Sequence, residues 1–196
     1  MISTNLKPIH RAKYKELRAN ALPAVQTKIF NQVLKELKSL VKLGKLKGYL
    51  GIYWPLPGEV DLLSLKKSLK TPIALPASDG MGRLSYRFWG SGPLKKDIHG
   101  IPAPLNQPEL CPEDIALLIV PALAIDHHGQ RLGYGGGYFD RLRAQKTWRA
   151  IPSLVVLPKA CMAIEPLPCD PWDIPFDGWI NEDGAFQACL KQLIDI

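Results

Sequence analysis

Between residues 25 and 41, apolar side chains recur at Val25, Ile29, Phe30, Val33, Leu34, Leu37, Leu40 and Val41. This is the 3.6-residue spacing of one helical face. Gly44 and Gly48 close that helix. Residues 9–21 read as a separate, earlier helix. Pro23 is expected to interrupt the two and to open the second, where its missing N–H costs nothing. The period then changes. Residues 49–53, 72–76, 115–120 and 151–157 are short apolar runs of the kind that form buried strands. Glu59 is expected to start a helix that runs to about Leu69, and residues 85–89 an exposed strand. Residues 78–112 otherwise hold glycines and prolines that argue for loops. A glycine block at 133–137 is followed by a helix to about Ala144. A short strand around Trp179 precedes a final helix over 185–193. Helices alternating with apolar strands predict an α/β fold: a single domain over 1–196, with a largely parallel Rossmann-like sheet flanked by helices. The basic N-terminal helical segment, 1–46, packs on it. Ligands of such sheets sit beyond the carboxyl ends of the strands, at crossover points.

The glycine block carries the densest chemistry. It reads Gly133-Tyr134-Gly135-Gly136-Gly137-Tyr138-Phe139-Asp140-Arg141. Four glycines in five positions let the backbone take positive φ and approach a ligand closely. If the loop opens a helix, its N–H groups favour a bound anion. Arg131 and Arg141 flank it with fixed positive charge. Asp140 offers a hard oxygen that suits Mg²⁺ beside a phosphate. A phosphate or nucleotide cradle explains the run; a tight strand-to-helix turn would need only one or two of these glycines.

Charge sharpens this picture. The chain carries a formal net charge of +7. Residues 1–50 hold 11 Lys/Arg against 2 Asp/Glu, while the remainder holds 14 against 16. A basic first quarter suits a polyanionic small ligand, or else is a solvated helical face; no RNP-type aromatic stretch or finger spacing points to nucleic acid. No apolar run is long enough for a membrane span, and no signal-peptide core follows Met1. A cytoplasmic, monomeric protein with no membrane partner is expected. Cys111, Cys161, Cys169 and Cys189 are scattered without zinc-ligand spacing and are expected to be reduced. His127 and His128 precede a glycine in a hairpin turn and are expected to be solvated.

Three stretches together resemble the 5-formyltetrahydrofolate cyclo-ligase family. The first is Ala122 to Asp126 and Arg131 to Arg141. The second is Tyr53-Trp54-Pro55-Leu56-Pro57-Gly58-Glu59-Val60-Asp61. The third is Leu167-Pro168 with Asp170-Pro171-Trp172-Asp173-Ile174-Pro175-Phe176-Asp177. The resemblance implies an ATP- and Mg²⁺-dependent closure of reduced 5-formyltetrahydrofolate to 5,10-methenyltetrahydrofolate, with release of ADP and phosphate. It implies that Arg131, Gly133, Tyr134, Gly135, Gly136 and Gly137 hold the phosphates, that Asp140 and Asp173 hold Mg²⁺, and that Tyr138 lines the nucleotide or folate pocket. Glu59 would bind the substrate near its reacting end, with Trp54 beside it, and Arg18 would reach ATP. Glu59, Arg131 and Tyr138 are thus the candidate catalytic side chains. Family members carry a lysine four residues before the N-terminal arginine; that position here is Tyr14, flanked by Lys13 and Lys15. Phe139 stands where the family has a second tyrosine. An ATP-binding relative acting on another formylated or acylated substrate, or a non-catalytic folate- or RNA-binding protein, would share many of these features.

Overall fold

A single helix, α1 (Lys7–Lys42), lies across one face of the main sheet in the computed structural model, which describes residues 6–170 and 173–186. Its buried positions Leu22, Ile29, Val33, Leu37 and Leu40 repeat at helical spacing, and they meet Leu50, Ile52, Ile73, Leu75, Leu117, Ile119, Leu154 and Val156 in one apolar cluster. Pro23 does not divide the helix as expected; it lies inside it. An interior proline costs about 3 kcal/mol through its lost N–H and ring clash. Burial of the apolar stripe that follows offsets this cost.

The chain then alternates strands and short helices. In order they are β1 (Tyr49–Gly51), α2 (Leu65–Ser68), β2 (Ile73–Ser78), β3 (Leu84–Phe88), β4 (Lys95–Lys96), β5 (Pro102–Ala103), β6 (Ile115–Pro121), β7 (Ala124–Asp126), β8 (Arg131–Leu132), α3 (Tyr138–Ala144), α4 (Lys146–Arg149), β9 (Ser153–Val156), β10 (Met162–Ala163), β11 (Gly178–Asn181) and β12 (Gly184–Phe186). Among the described residues the main sheet has the order β12-β11-β9-β6-β1-β2-β3. Its five central strands are parallel; β3 and β12 pair antiparallel at the two edges. The expected α/β, largely parallel sheet is therefore present.

Three local expectations are corrected. Glu59 starts no helix: it sits in a turn, and α2 is confined to Leu65–Ser68. Val60, Leu62 and Leu65 all bury, a spacing that helical geometry does not supply until the last of them. Strand β3 is not simply exposed, because Tyr86 is fully buried against Trp148 with ring centroids 5.8 Å apart. Ala185 and Phe186 belong to β12, not to a final helix; the rest of that expected helix lies outside the described residues.

The strand order reverses between β1 and β6. From β1 the chain moves outward to β2 on one side, and β6, β9 and β11 follow on the other. In sheets of this type the crevice beyond the carboxyl ends at such a reversal is where ligands bind. β7 and β8 form a small sheet with β10, just past the end of β6. No helix among the described residues is long and apolar enough to cross a membrane.

Candidate active site

The glycine loop is presented by the β7–β8 hairpin. Asp126, almost fully buried, fixes that hairpin: its carboxylate accepts from the N–H groups of His128 at 2.9 Å, Gln130 at 3.0 Å and Leu167 at 2.8 Å. His127 and His128 are exposed, as expected. The loop then runs over 133–137 and opens α3, with Gly137 at the N-cap in the left-handed region (φ +65°). Gly135 also takes a positive φ, +102°.

Three guanidinium groups lie close against this loop. A Cβ on Gly133 would approach Arg131 to 2.8 Å, one on Gly135 would approach Arg11 to 3.3 Å, and one on Gly137 would approach Arg141 to 2.7 Å. Positive φ calls for glycine at Gly135 and Gly137, and the bare backbone of the loop lets the cations approach closely. Arg11 Nε donates to the Gly133 carbonyl at 3.0 Å, and Arg141 Nε to the Gly82 carbonyl at 2.8 Å. Arg131 donates to the Pro121 carbonyl at 3.1 Å and to Asp140 at 3.1 Å, with its guanidinium over the Phe139 and Phe176 rings. Because α3 is only seven residues long, side-chain cations rather than a helix dipole supply most of the positive field.

Two cavities flank the loop. The first, about 470 Å³, is lined by Lys7, Arg11, Arg131, Arg141, Gly133, Gly135, Asp140, Asp170 and Asp173. The second, about 380 Å³, is largely apolar and is lined by Tyr53, Trp54, Leu56, Leu84, Ile101, Tyr138 and Phe139 around Glu59 and His99. Arg131, Tyr134 and Gly137 face both.

Most of the expected residues fall on these walls. Asp140 and Asp173 line the cationic cavity together with Asp170. Asp173 also closes a turn, accepting from the Asp170 N–H at 2.8 Å. Among the described residues no cluster of three His, Cys, Asp or Glu side chains forms a ready-made metal cage. Trp54, Glu59 and Tyr138 line the apolar cavity; Trp172 lies outside the described residues. Arg18 lines neither of these two cavities. It is buried behind the loop, donating to the Ala122 carbonyl at 3.0 Å and to the Tyr134 hydroxyl.

Sequence reasoning missed four residues. Lys7 bridges Asp170 at 2.6 Å and Asp173 at 2.7 Å, and Arg11 sits one turn further along α1. They share a face with Arg18, at i, i+4 and i+11. The lysine and arginine four apart that reach the cavity are thus Lys7 and Arg11; Lys13 instead lies over the Tyr14 ring and Lys15 is exposed. That spacing was a readable signal. His99 and Asp97 had none: His99 Nε2 meets the Tyr138 hydroxyl across 39 residues, on a loop held by four hydrogen bonds to Asp97.

Burial and charge tune the groups. Burial raises the Glu59 carboxyl above its ordinary value; the Leu56 N–H, the Arg18 charge, the Tyr134 hydroxyl and the Arg131 charge pull the other way without overcoming it. Burial likewise raises Tyr134, against Arg18. Burial disfavours the charged Lys7, but its bonds to Asp170 and Asp173 outweigh this and hold the ammonium above its usual value.

A model of the 5-formyltetrahydrofolate cyclo-ligase family matches residues 5–182. The chain belongs to that family. A cyclo-ligase of Haemophilus influenzae is 29% identical over 174 residues, covering 84% of this chain and 91% of its own. The cyclo-ligase of Escherichia coli K12 is 37% identical over a shorter stretch of 90 residues, 42% of this chain and 48% of its own. The solution structure of an Aquifex aeolicus 5,10-methenyltetrahydrofolate synthetase superposes with a TM-score of 0.76 at 30% identity, covering 93% of this chain and 92% of that one. A Mycoplasma pneumoniae synthetase shares the fold, with a TM-score of 0.69 at 19% identity. In this cyclo-ligase family member the Gly133–Arg141 stretch is the wall between the two cavities.

Proposed function

We propose that the chain converts 5-formyltetrahydrofolate to 5,10-methenyltetrahydrofolate in an ATP- and Mg²⁺-dependent reaction. The observation that carries this reading is the pairing of the cavities across one glycine loop. One is cationic and walled by bare backbone, suited to a triphosphate. The other is largely apolar, walled by Trp54, Tyr138 and Phe139 with the carboxylates of Glu59 and Asp97, suited to a flat heterocycle. Their shared wall would bring a phosphoryl group and a formyl oxygen together.

Phosphoryl transfer needs positioning and charge neutralisation more than covalent help from the protein. Arg131, Lys7, Arg11 and Arg141 would neutralise the phosphates. The donor set fits magnesium, which takes one or two carboxylates and completes its shell with phosphate oxygens and water. Asp140, with Asp173, would hold it, and the ion would offset charge on the transferring phosphate. Glu59 would accept a hydrogen bond from the substrate at its reacting end. Tyr138 would close the ring pocket, tied across its mouth to His99.

Calorimetric titration tests the division. Mg-ATP and 5-formyltetrahydrofolate should each bind alone. Arg11→Ala should weaken only the first, and Trp54→Ala only the second. Mutual exclusion of the two ligands would overturn the two-cavity reading.

A further inference from the structure

Tyr134 stands at the junction of three chain segments. Its hydroxyl accepts a hydrogen bond from Arg18 Nη2 on α1, and Tyr134 lines the apolar cavity together with Glu59, in the turn after β1. The Arg18 guanidinium also lies 5.2 Å from the centre of the Tyr134 ring. Arg18 is itself immobilised: it is 3% exposed and bonded to the Ala122 carbonyl at 3.0 Å. Its Nε is buried without a hydrogen-bond partner, a desolvation cost that a surface arginine would not carry. The turn lies alongside it: a Cβ on Gly58 would be in van der Waals range of Nη2, at 3.6 Å. Glu59 is held on its own side as well. Glu59 is 7% exposed, its Oε2 accepts the Leu56 N–H at 2.8 Å, and it lines the apolar cavity.

We propose that Tyr134 is a positioning residue: its hydroxyl, anchored by Arg18, fixes the Glu59 carboxylate toward the substrate in the apolar cavity. The inference rests on the cyclo-ligase reading of the site. It gives Arg18 a role apart from the phosphates. It also gives the loop's first tyrosine a role apart from nucleotide contact, although its ring touches both cavities.

The groups that face Glu59 are Arg18 from α1, Arg131 and Tyr134 from the loop region, and Tyr53 nearby, with Asp61 beyond it. Arg18, Arg131 and the Tyr134 hydroxyl favour the ionised carboxylate, against its burial. Removal of the hydroxyl therefore moves the Glu59 titration further up.

The test is Tyr134→Phe, Glu59→Gln and the double variant, assayed for methenyl product across pH and for 5-formyltetrahydrofolate binding by calorimetry. Tyr134→Phe is expected to lower kcat/KM for the folate about tenfold, the scale of one hydrogen bond to a charged group. The acid limb of the profile should shift to higher pH, with KM for ATP unchanged. In the Glu59→Gln background the same change should cost nothing further, in turnover or in binding, because residues acting through one another are not additive. An undiminished loss in that background, or a rise in ATP KM with the acid limb unmoved, would overturn the proposal. Absence of turnover in the unaltered protein would instead overturn the reading of the reaction itself.

Discussion

Arg11 lies against Gly135: a Cβ at that glycine would come within 3.3 Å of the guanidinium, which donates from Nε to the neighbouring Gly133 carbonyl at 3.0 Å. The first turns of α1 and the glycine loop are thus fitted to each other across 122 residues of sequence. Cation and bare backbone form one surface.

Gly135→Ala should therefore damage the cationic cavity twice. At φ +102° a methyl group strains the backbone by about 1–3 kcal/mol, and it also pushes Arg11 away. Calorimetry should show Mg-ATP affinity reduced about tenfold or more, with 5-formyltetrahydrofolate affinity held within about twofold. Equal losses for both ligands would mean that the loop had collapsed.

Lys7 and Lys13 make opposite predictions. Lys7→Ala removes the cation between Asp170 and Asp173 and should raise KM for ATP about tenfold, as expected for loss of a charge-assisted contact. Lys13→Ala should change KM for ATP by less than about twofold, because Lys13 lies over the Tyr14 ring and lines neither cavity. A larger effect at Lys13 would show that the register of α1 over the site is different.

Asp97 should make part of the stability pH-dependent. Burial acts to raise its carboxyl, but the hydrogen bonds from the Ile101 and Ser78 N–H groups, the Ser78 hydroxyl and the His99 N–H outweigh this and lower it. A depressed folded-state value means stabilisation that is present above the unfolded value, ordinarily about 3.9, and lost as pH falls through the folded one. Asp97→Asn should cost under about 1 kcal/mol at neutral pH, because solvent screens this partly exposed carboxylate. In denaturant titrations that deficit should shrink below about pH 4. A deficit independent of pH would assign it to shape rather than charge.

The parts of the site that could be read in the sequence were those carried by contiguous residues. The glycine block, with Arg131, Asp140 and Arg141, is local, and so is the turn that presents Glu59 and Trp54. The central strands β6 and β9 were legible because burial on both faces leaves an unbroken apolar run. The spacing of Lys7, Arg11 and Arg18 on α1 was legible, but where that face points was not, for a physical reason. Taking Pro23 as a break detached residues 9–21 from the helix that the sheet orients, and left Lys7 outside both. With the helix continuous, its 36 residues at about 1.5 Å each span roughly 54 Å. The first turns then reach the loop, with Lys7 and Arg11 facing it. His99 was hidden because its partner, Tyr138, lies on a different element, and no local pattern records a contact of that kind.

The central claim is tested most directly by one absorbance measurement. Purified protein is mixed with 5-formyltetrahydrofolate, Mg²⁺ and ATP, and the near-ultraviolet absorbance of the methenyl product is followed, with ATP-free and Asp140→Ala controls. An ATP-dependent rise, lost in Asp140→Ala, is the predicted result. No rise from folded protein that binds both ligands would contradict the proposed reaction, and an unchanged rate in Asp140→Ala would contradict the metal-holding role of that carboxylate.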